Sequence, residues 1–193
     1  MIIVELVLFT LISLFSIISI SGLGKFFINR VDRNFFENFF CGFIIISFLL
    51  SFLHFFIKVN FYISLPIFLL GFILALKDFK FSTVTINKKY IAYLLIFLIL
   101  IPMYISQKYH EDFGYYHLPY VLNFVNEKII FGLANANSAF AHNSIWLNIL
   151  PIFYINENYD YVLIPTFLIY SVFIIYSFSL INKEKKKQLV IFF

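Results

Sequence analysis

Five long apolar stretches constrain this chain more than anything else in it. They cover residues 2–22, 35–57, 59–76, 90–106 and 161–181. A helix needs about 20 apolar residues to cross the ~30 Å hydrocarbon core of a bilayer. Lipid offers no partner for backbone N–H and C=O groups, so such stretches must satisfy them internally as helices. The alternation of apolar and polar residues that marks a membrane β-barrel is missing. The chain is 62% hydrophobic and 12% charged, against roughly 45–50% and about 25% in a soluble domain. The expected fold class is therefore all-α: a polytopic membrane helix bundle with these five spans and one or two juxtamembrane helices.

The charged residues cluster at the ends of the apolar stretches, where they set orientation. Lysine and arginine number 0 before the first span, 3 in 23–34, 1 at 58–60, 4 in 77–89, 2 in 107–160 and 4 after 181. The basic segments are expected on the cytoplasmic side. That places the N-terminus outside, the C-terminus inside and residues 107–160 on the outer face. The net charge of +4 is explained by these clusters, so no nucleic-acid partner is implied; the bilayer is the expected partner. Residues 2–20 lack a basic lead and a small-x-small cleavage site, so they read as a retained span, not a signal peptide. Cys41 is the single cysteine, which excludes an intrachain disulfide and a multi-cysteine metal site. After the basic tail at 182–188, Leu189–Phe193 reads as the opening turn of a sixth span, as expected for the first part of a longer polytopic protein.

Polarity is concentrated in 107–160. The segment holds Glu111, Asp112, Glu127, Glu157, Asp160, His110, His117, His142 and the single tryptophan, Trp146. Elsewhere Glu5, Glu37 and His54 fall near span ends. Ion-coupled carriers place ionisable groups at depth, which this pattern does not do. At about 100° per residue, residues 112–128 form an amphipathic helix with Asp112, Tyr116, Asn123 and Glu127 on one stripe. Pro119 suits its first turn. Such a helix lies along the membrane surface. A second apolar stretch, 144–155, is too short to span and is expected as an interfacial or re-entrant helix. Between them, 131–144 is rich in Asn and small residues, the composition of a hydrogen-bonding loop.

The acid pair Glu111-Asp112 has two readings. The bland one is a solvated cap, since acids favour helix N-termini. The chemical one is a general base at a membrane surface, accepting a hydroxyl proton while a phosphate-linked donor leaves. His110, Glu111, Asp112 and His117 offer four metal-ligand types in eight residues. Gly114 breaks the H-E-x-x-H pattern of a zinc helix, and His117 falls on the apolar side of the wheel among Val121 and Phe124. No cofactor is therefore expected, and a divalent metal is only weakly supported. Phosphate-loop, nucleophile-elbow and redox-dithiol motifs do not occur in the sequence, so a soluble-type nucleotide site is not expected.

An outer loop opening on an acid just after a span resembles the polytopic GT-C glycosyltransferases, which use polyprenyl-phosphate sugars at the outer face. Their first outer loop carries an acidic catalytic residue, and Asp112 or Glu111 occupies the matching place. A closer resemblance is to an uncharacterised group of bacterial polytopic proteins with three motif islands. These islands are Asp112…Tyr116-His117-Leu118, Gly132-Leu133-Ala134-Asn135 and Asn143-Ser144-x-Trp146. The likeness covers residues 88–150. A basic residue common after the second island in that group has no counterpart at Asn137-Ser138-Ala139, which leaves a donor phosphate without a cation there.

The resemblance implies a bacterial inner-membrane glycosyltransferase that moves a sugar from a polyprenyl-phosphate donor to an envelope glycan or lipid acceptor. Asp112 and Glu111 would be catalytic, with Tyr116, His117, His110, Asn135, His142 and Asn143 binding substrate. Two alternatives stand beside it. One is a surface-polysaccharide polymerase or ligase, disfavoured because 107–160 contains no arginine. The other is a non-catalytic carrier component or scaffold.

Overall fold

The computed structural model describes residues 2–28, 34–77, 88–106, 113–136 and 147–191. The described residues are almost entirely helical, in the order α1 (Ile2–Ile28), α2 (Phe35–His54), α3 (Phe61–Lys77), α4 (Lys88–Ile105), α5 (Leu118–Asn126), α6 (Leu133–Ala136) and α7 (Ile164–Ile191). A π-helical turn, Phe113–His117, leads into α5, and 3₁₀ segments occupy Leu147–Phe153 and Asp160–Leu163. Three helical stretches, Val4–Ile28, Phe35–His54 and Asp160–Ile181, are long and apolar enough to cross a membrane; α3 and α4 are apolar but shorter.

The first three helices pack through glycine. A Cβ added at Gly24 would run into the Asn38 carbonyl and sit 2.6 Å from the Gly42 backbone N. One added at Gly42 would meet the Ile20 carbonyl and sit 2.9 Å from the Gly24 N. On the neighbouring face of α1, a Cβ at Gly22 would meet the Gly71 carbonyl and lie 2.8 Å from the Ala75 N. One at Gly71 would meet the Ser19 carbonyl. The register follows directly. Residues 20–24 against 42–38 make α1 and α2 antiparallel, and 19–22 against 71–75 make α1 and α3 parallel. Lipid tails are as apolar as leucine, so close backbone approach at small residues is what drives such helices together. Ser13, Ser16 and Ser19 are buried on α1 in the same way.

Aromatic contacts add the remaining helices at the two ends of the bundle. Near one end, Phe167 of α7 takes Phe9 of α1, Phe97 of α4 and Tyr104 of α4 edge-on, at centroid distances of 5.3, 5.0 and 5.6 Å. Such pairs add about 0.5–1.5 kcal/mol each beyond area burial. Near the other end, Phe36 of α2 meets Tyr93 of α4 and Tyr176 of α7. There Asn34 and Glu37 form a reciprocal capping box that starts α2. Glu37 also accepts a hydrogen bond from the Tyr176 hydroxyl at 3.2 Å, which ties α2 to α7.

The outward faces remain apolar. On α2, Ile44, Phe48 and Phe52 recur every fourth residue and are 57–62% exposed, while Phe39, Ile46 and Leu50 are buried. In water that pattern would be a liability, but against acyl chains it has no cost. The α7 helix continues without a break through the basic run to Ile191, so residues 189–191 prolong that helix where a new span was expected to begin.

Replacing Gly24 or Gly42 with Ala puts a methyl group against backbone that cannot yield locally. Each change should cost at least about 1–3 kcal/mol, read as a lower melting temperature of the detergent-solubilised protein. Gly114→Ala is the control, since its added Cβ meets nothing within 4 Å and should leave the melting temperature unchanged.

Candidate functional site

The described segments between α4 and α7 fold back onto the end of the bundle where α2 stops and α3 starts. Two backbone hydrogen bonds fasten α5 and the residues just after it there. Val59 N donates to the Phe124 carbonyl at 3.0 Å, and Ile129 N donates to the His54 carbonyl at 3.0 Å. The second bond fills a carbonyl that the helix end would otherwise leave unpaired. The α5 face bearing Tyr120, Val121 and Phe124 is buried. Residues Leu147–Phe153, expected as an interfacial or re-entrant helix, form a 3₁₀ turn in which every residue is buried. They pack on α5 and touch α2, α3 and α7.

A polar relay crosses this apolar packing. The Tyr120 hydroxyl donates to Asn148 Oδ1 at 2.8 Å, Asn148 Nδ2 donates to Ser51 Oγ at 2.6 Å, and Ser51 Oγ donates to the Ser47 carbonyl at 2.7 Å. The relay joins α5, the 3₁₀ turn and α2 across 28 and 97 residues of sequence. Burial pushes the Tyr120 phenol up to about 12. The raised value favours the neutral form in the folded state. Its contribution to stability is therefore complete below the ordinary tyrosine range near 10 and fades as pH climbs toward 12.

Beside the relay, His54 is 3% exposed. Its ring stacks on Phe124 with centroids 3.5 Å apart and planes 10° apart. Its Nδ1 is buried and finds no hydrogen-bond partner among the described residues. His54, Ser51, Tyr120 and Asn148 line a cavity of about 240 Å³ together with Asn123 and Gly132–Ala134. Gly132 has φ +82°, a left-handed value that glycine adopts without the Cβ penalty. Its carbonyl accepts the Asn135 N–H at 2.9 Å, which turns the chain across the cavity mouth.

The family model described as "Domain of unknown function (DUF8201)" matches residues 1–193. The chain belongs to the DUF8201 family. No curated protein and no solved structure matches it.

Several site residues expected from sequence fall where this DUF8201 chain can be inspected. His117 sits half-buried at the junction of the π turn and α5. Asn135 is exposed in α6, next to the three residues of its motif island that line the cavity. Tyr116 belongs to the π turn, and its side chain lies outside the described residues, as do His110, Glu111, Asp112, His142, Asn143 and Trp146. Among the described residues no three of His, Cys, Asp and Glu gather as a metal site. The relay and His54 were not singled out from sequence, yet a signal existed. Ser47, Ser51 and His54 recur at helical spacing in an apolar span, and Asn148 stands alone in an apolar stretch. Polar groups placed so in a membrane helix usually have a partner or a function.

Tyr120→Phe leaves the buried Asn148 carbonyl oxygen short of a donor and should cost about 1–3 kcal/mol. Asn148→Leu should cost a similar amount. The double variant should lose less than the sum, with a coupling of about 0.5–3 kcal/mol measured by denaturant unfolding in detergent. Strict additivity would show that the relay is not energetically connected.

Proposed function

We propose that this DUF8201 chain acts as a GT-C-like glycosyltransferase of the bacterial cytoplasmic membrane. It transfers a sugar from a polyprenyl-phosphate donor to an envelope glycan or lipid acceptor at the outer face. The observation that carries the reading is the polar cavity at one end of an apolar bundle. The Gly132-Leu133-Ala134 part of a motif island contributes to it, and the acid-bearing segment that ends at Asp112 leads into the π turn and α5 beside it. In this reading α1, α2 and α7 span the bilayer together with the shorter α3 and α4. The N-terminus is outside, and 107–160 faces the periplasmic or extracellular side, as the lysine and arginine distribution favours.

The chemistry asked of the chain is modest. Asp112, supported by Glu111, accepts the proton of the acceptor hydroxyl. The hydroxyl oxygen bonds to the anomeric carbon as the anomeric carbon–oxygen bond to phosphate breaks, and the phosphate leaves on its lipid carrier. A positioned carboxylate base contributes about 10²–10⁴-fold to such a step.

Asp112→Asn should therefore reduce glycan transfer by about 10²–10⁴-fold while the protein still inserts, checked by envelope-glycan profiling beside membrane fractionation. A wild-type glycan profile from that variant would falsify the catalytic assignment and favour a scaffold.

A further inference from the structure

We infer that the cavity beside His54 is a binding site for one neutral sugar ring. Three observations support this. First, the lining contributed by the described residues is uncharged, which suits a neutral ligand. A charged ligand taken out of water needs a partner of opposite charge. Second, the polar lining is all hydrogen-bonding and uncharged: the amides of Asn123 and Asn148 and the hydroxyls of Tyr120 and Ser51, with His54 among them. An amide has two donors and an acceptor with two lone pairs, and the relay engages only part of that capacity on Asn148. The face of Phe124 is covered by the His54 ring, but Phe55 and Phe131 also line the cavity and supply apolar surface for a ring's C–H face. Third, His54 lines the cavity with its ring held against Phe124, which fixes an imidazole beside the amides and hydroxyls.

Size narrows the ligand further. About 240 Å³ corresponds to roughly eight waters at ~30 Å³ each, the bulk of one sugar ring. It falls below the ~300 Å³ at which sites for larger ligands begin. Choosing a sugar among neutral hydroxylated ligands rests on the function proposed above. Recognition of a neutral polyhydroxyl ring rests on the cavity alone. The ring could arrive as a free sugar or as the headgroup of a glycolipid, and both present the same hydroxyls.

The test uses the full chain in phosphatidylcholine nanodiscs, which avoids glycoside detergents. Histidine is labelled at Cε1 with carbon-13, and the His54 signal is assigned by its loss in His54→Gln. Methyl glucoside, methyl galactoside and N-acetylglucosamine are titrated in turn. A parallel nanodisc contains monoglucosyl diacylglycerol, and inorganic phosphate is the anion probe. At least one sugar or the glycolipid should shift the His54 signal saturably, and which of them does so identifies the source. Asn123→Ala should raise the half-saturating concentration about tenfold, the loss of one or two hydrogen bonds. No shift with any sugar or with the glycolipid overturns the proposal, as does a phosphate shift of equal size. An Asp112→Asn chain must still show the shift, so failure of the catalytic reading and failure of this site are separable.

Discussion

Everything in this bundle depends on how closely α1 can approach its two neighbours. At Gly24 and Gly42 on one side, and at Gly22 and Gly71 on the other, backbone meets backbone with no space for a methyl group. In lipid the apolar side chains gain little by leaving one neighbour for another, so dispersion and close carbonyl contacts at small residues decide which helices pair. Two glycine pairs on neighbouring faces of one helix therefore fix three helices at once, together with their registers. The α2–α3 turn is then held at one end of the bundle.

That fixed turn is the platform for the segments between α4 and α7. The Val59 N–H is committed to α5 and the His54 carbonyl to Ile129 just beyond it. The Tyr120–Asn148–Ser51 relay then locks the 3₁₀ turn against α2. A polar relay in apolar surroundings is specific because each misplacement leaves a buried group unpaired. The same polarity makes the place chemically different from the rest of the bundle. A cavity with hydroxyls, amides and an imidazole opens where the packing is otherwise phenylalanine, isoleucine and leucine.

Much of the helix framework was legible in the sequence because hydrophobic length is a local property. The expected stretches 35–57 and 59–76 compare with helices Phe35–His54 and Phe61–Lys77, and Pro119 falls in the first turn of α5, as expected. The first helix runs past the expected stretch 2–22 to Ile28, with Gly22 and Gly24 inside it as contact residues. The site was less legible. Asp112 stood out because it is an acid beside an acid. Ser51, Tyr120 and Asn148 did not, because each alone resembles an ordinary polar residue in an apolar stretch.

The sequence by itself determined that the chain is helical and apolar along long runs, and where its charges collect. Those outcomes follow from the cost of bare backbone in lipid and from the residues' own hydropathy. Only the tertiary structure decided that the glycines of α1 are interfaces, that residues 147–153 are buried, and that His54 shares a cavity with Tyr120 and Asn148. Those outcomes depend on pairings from 18 residues apart, Gly24 with Gly42, to 97 apart, Ser51 with Asn148, and no local pattern of residues encodes which distant partner a group will find.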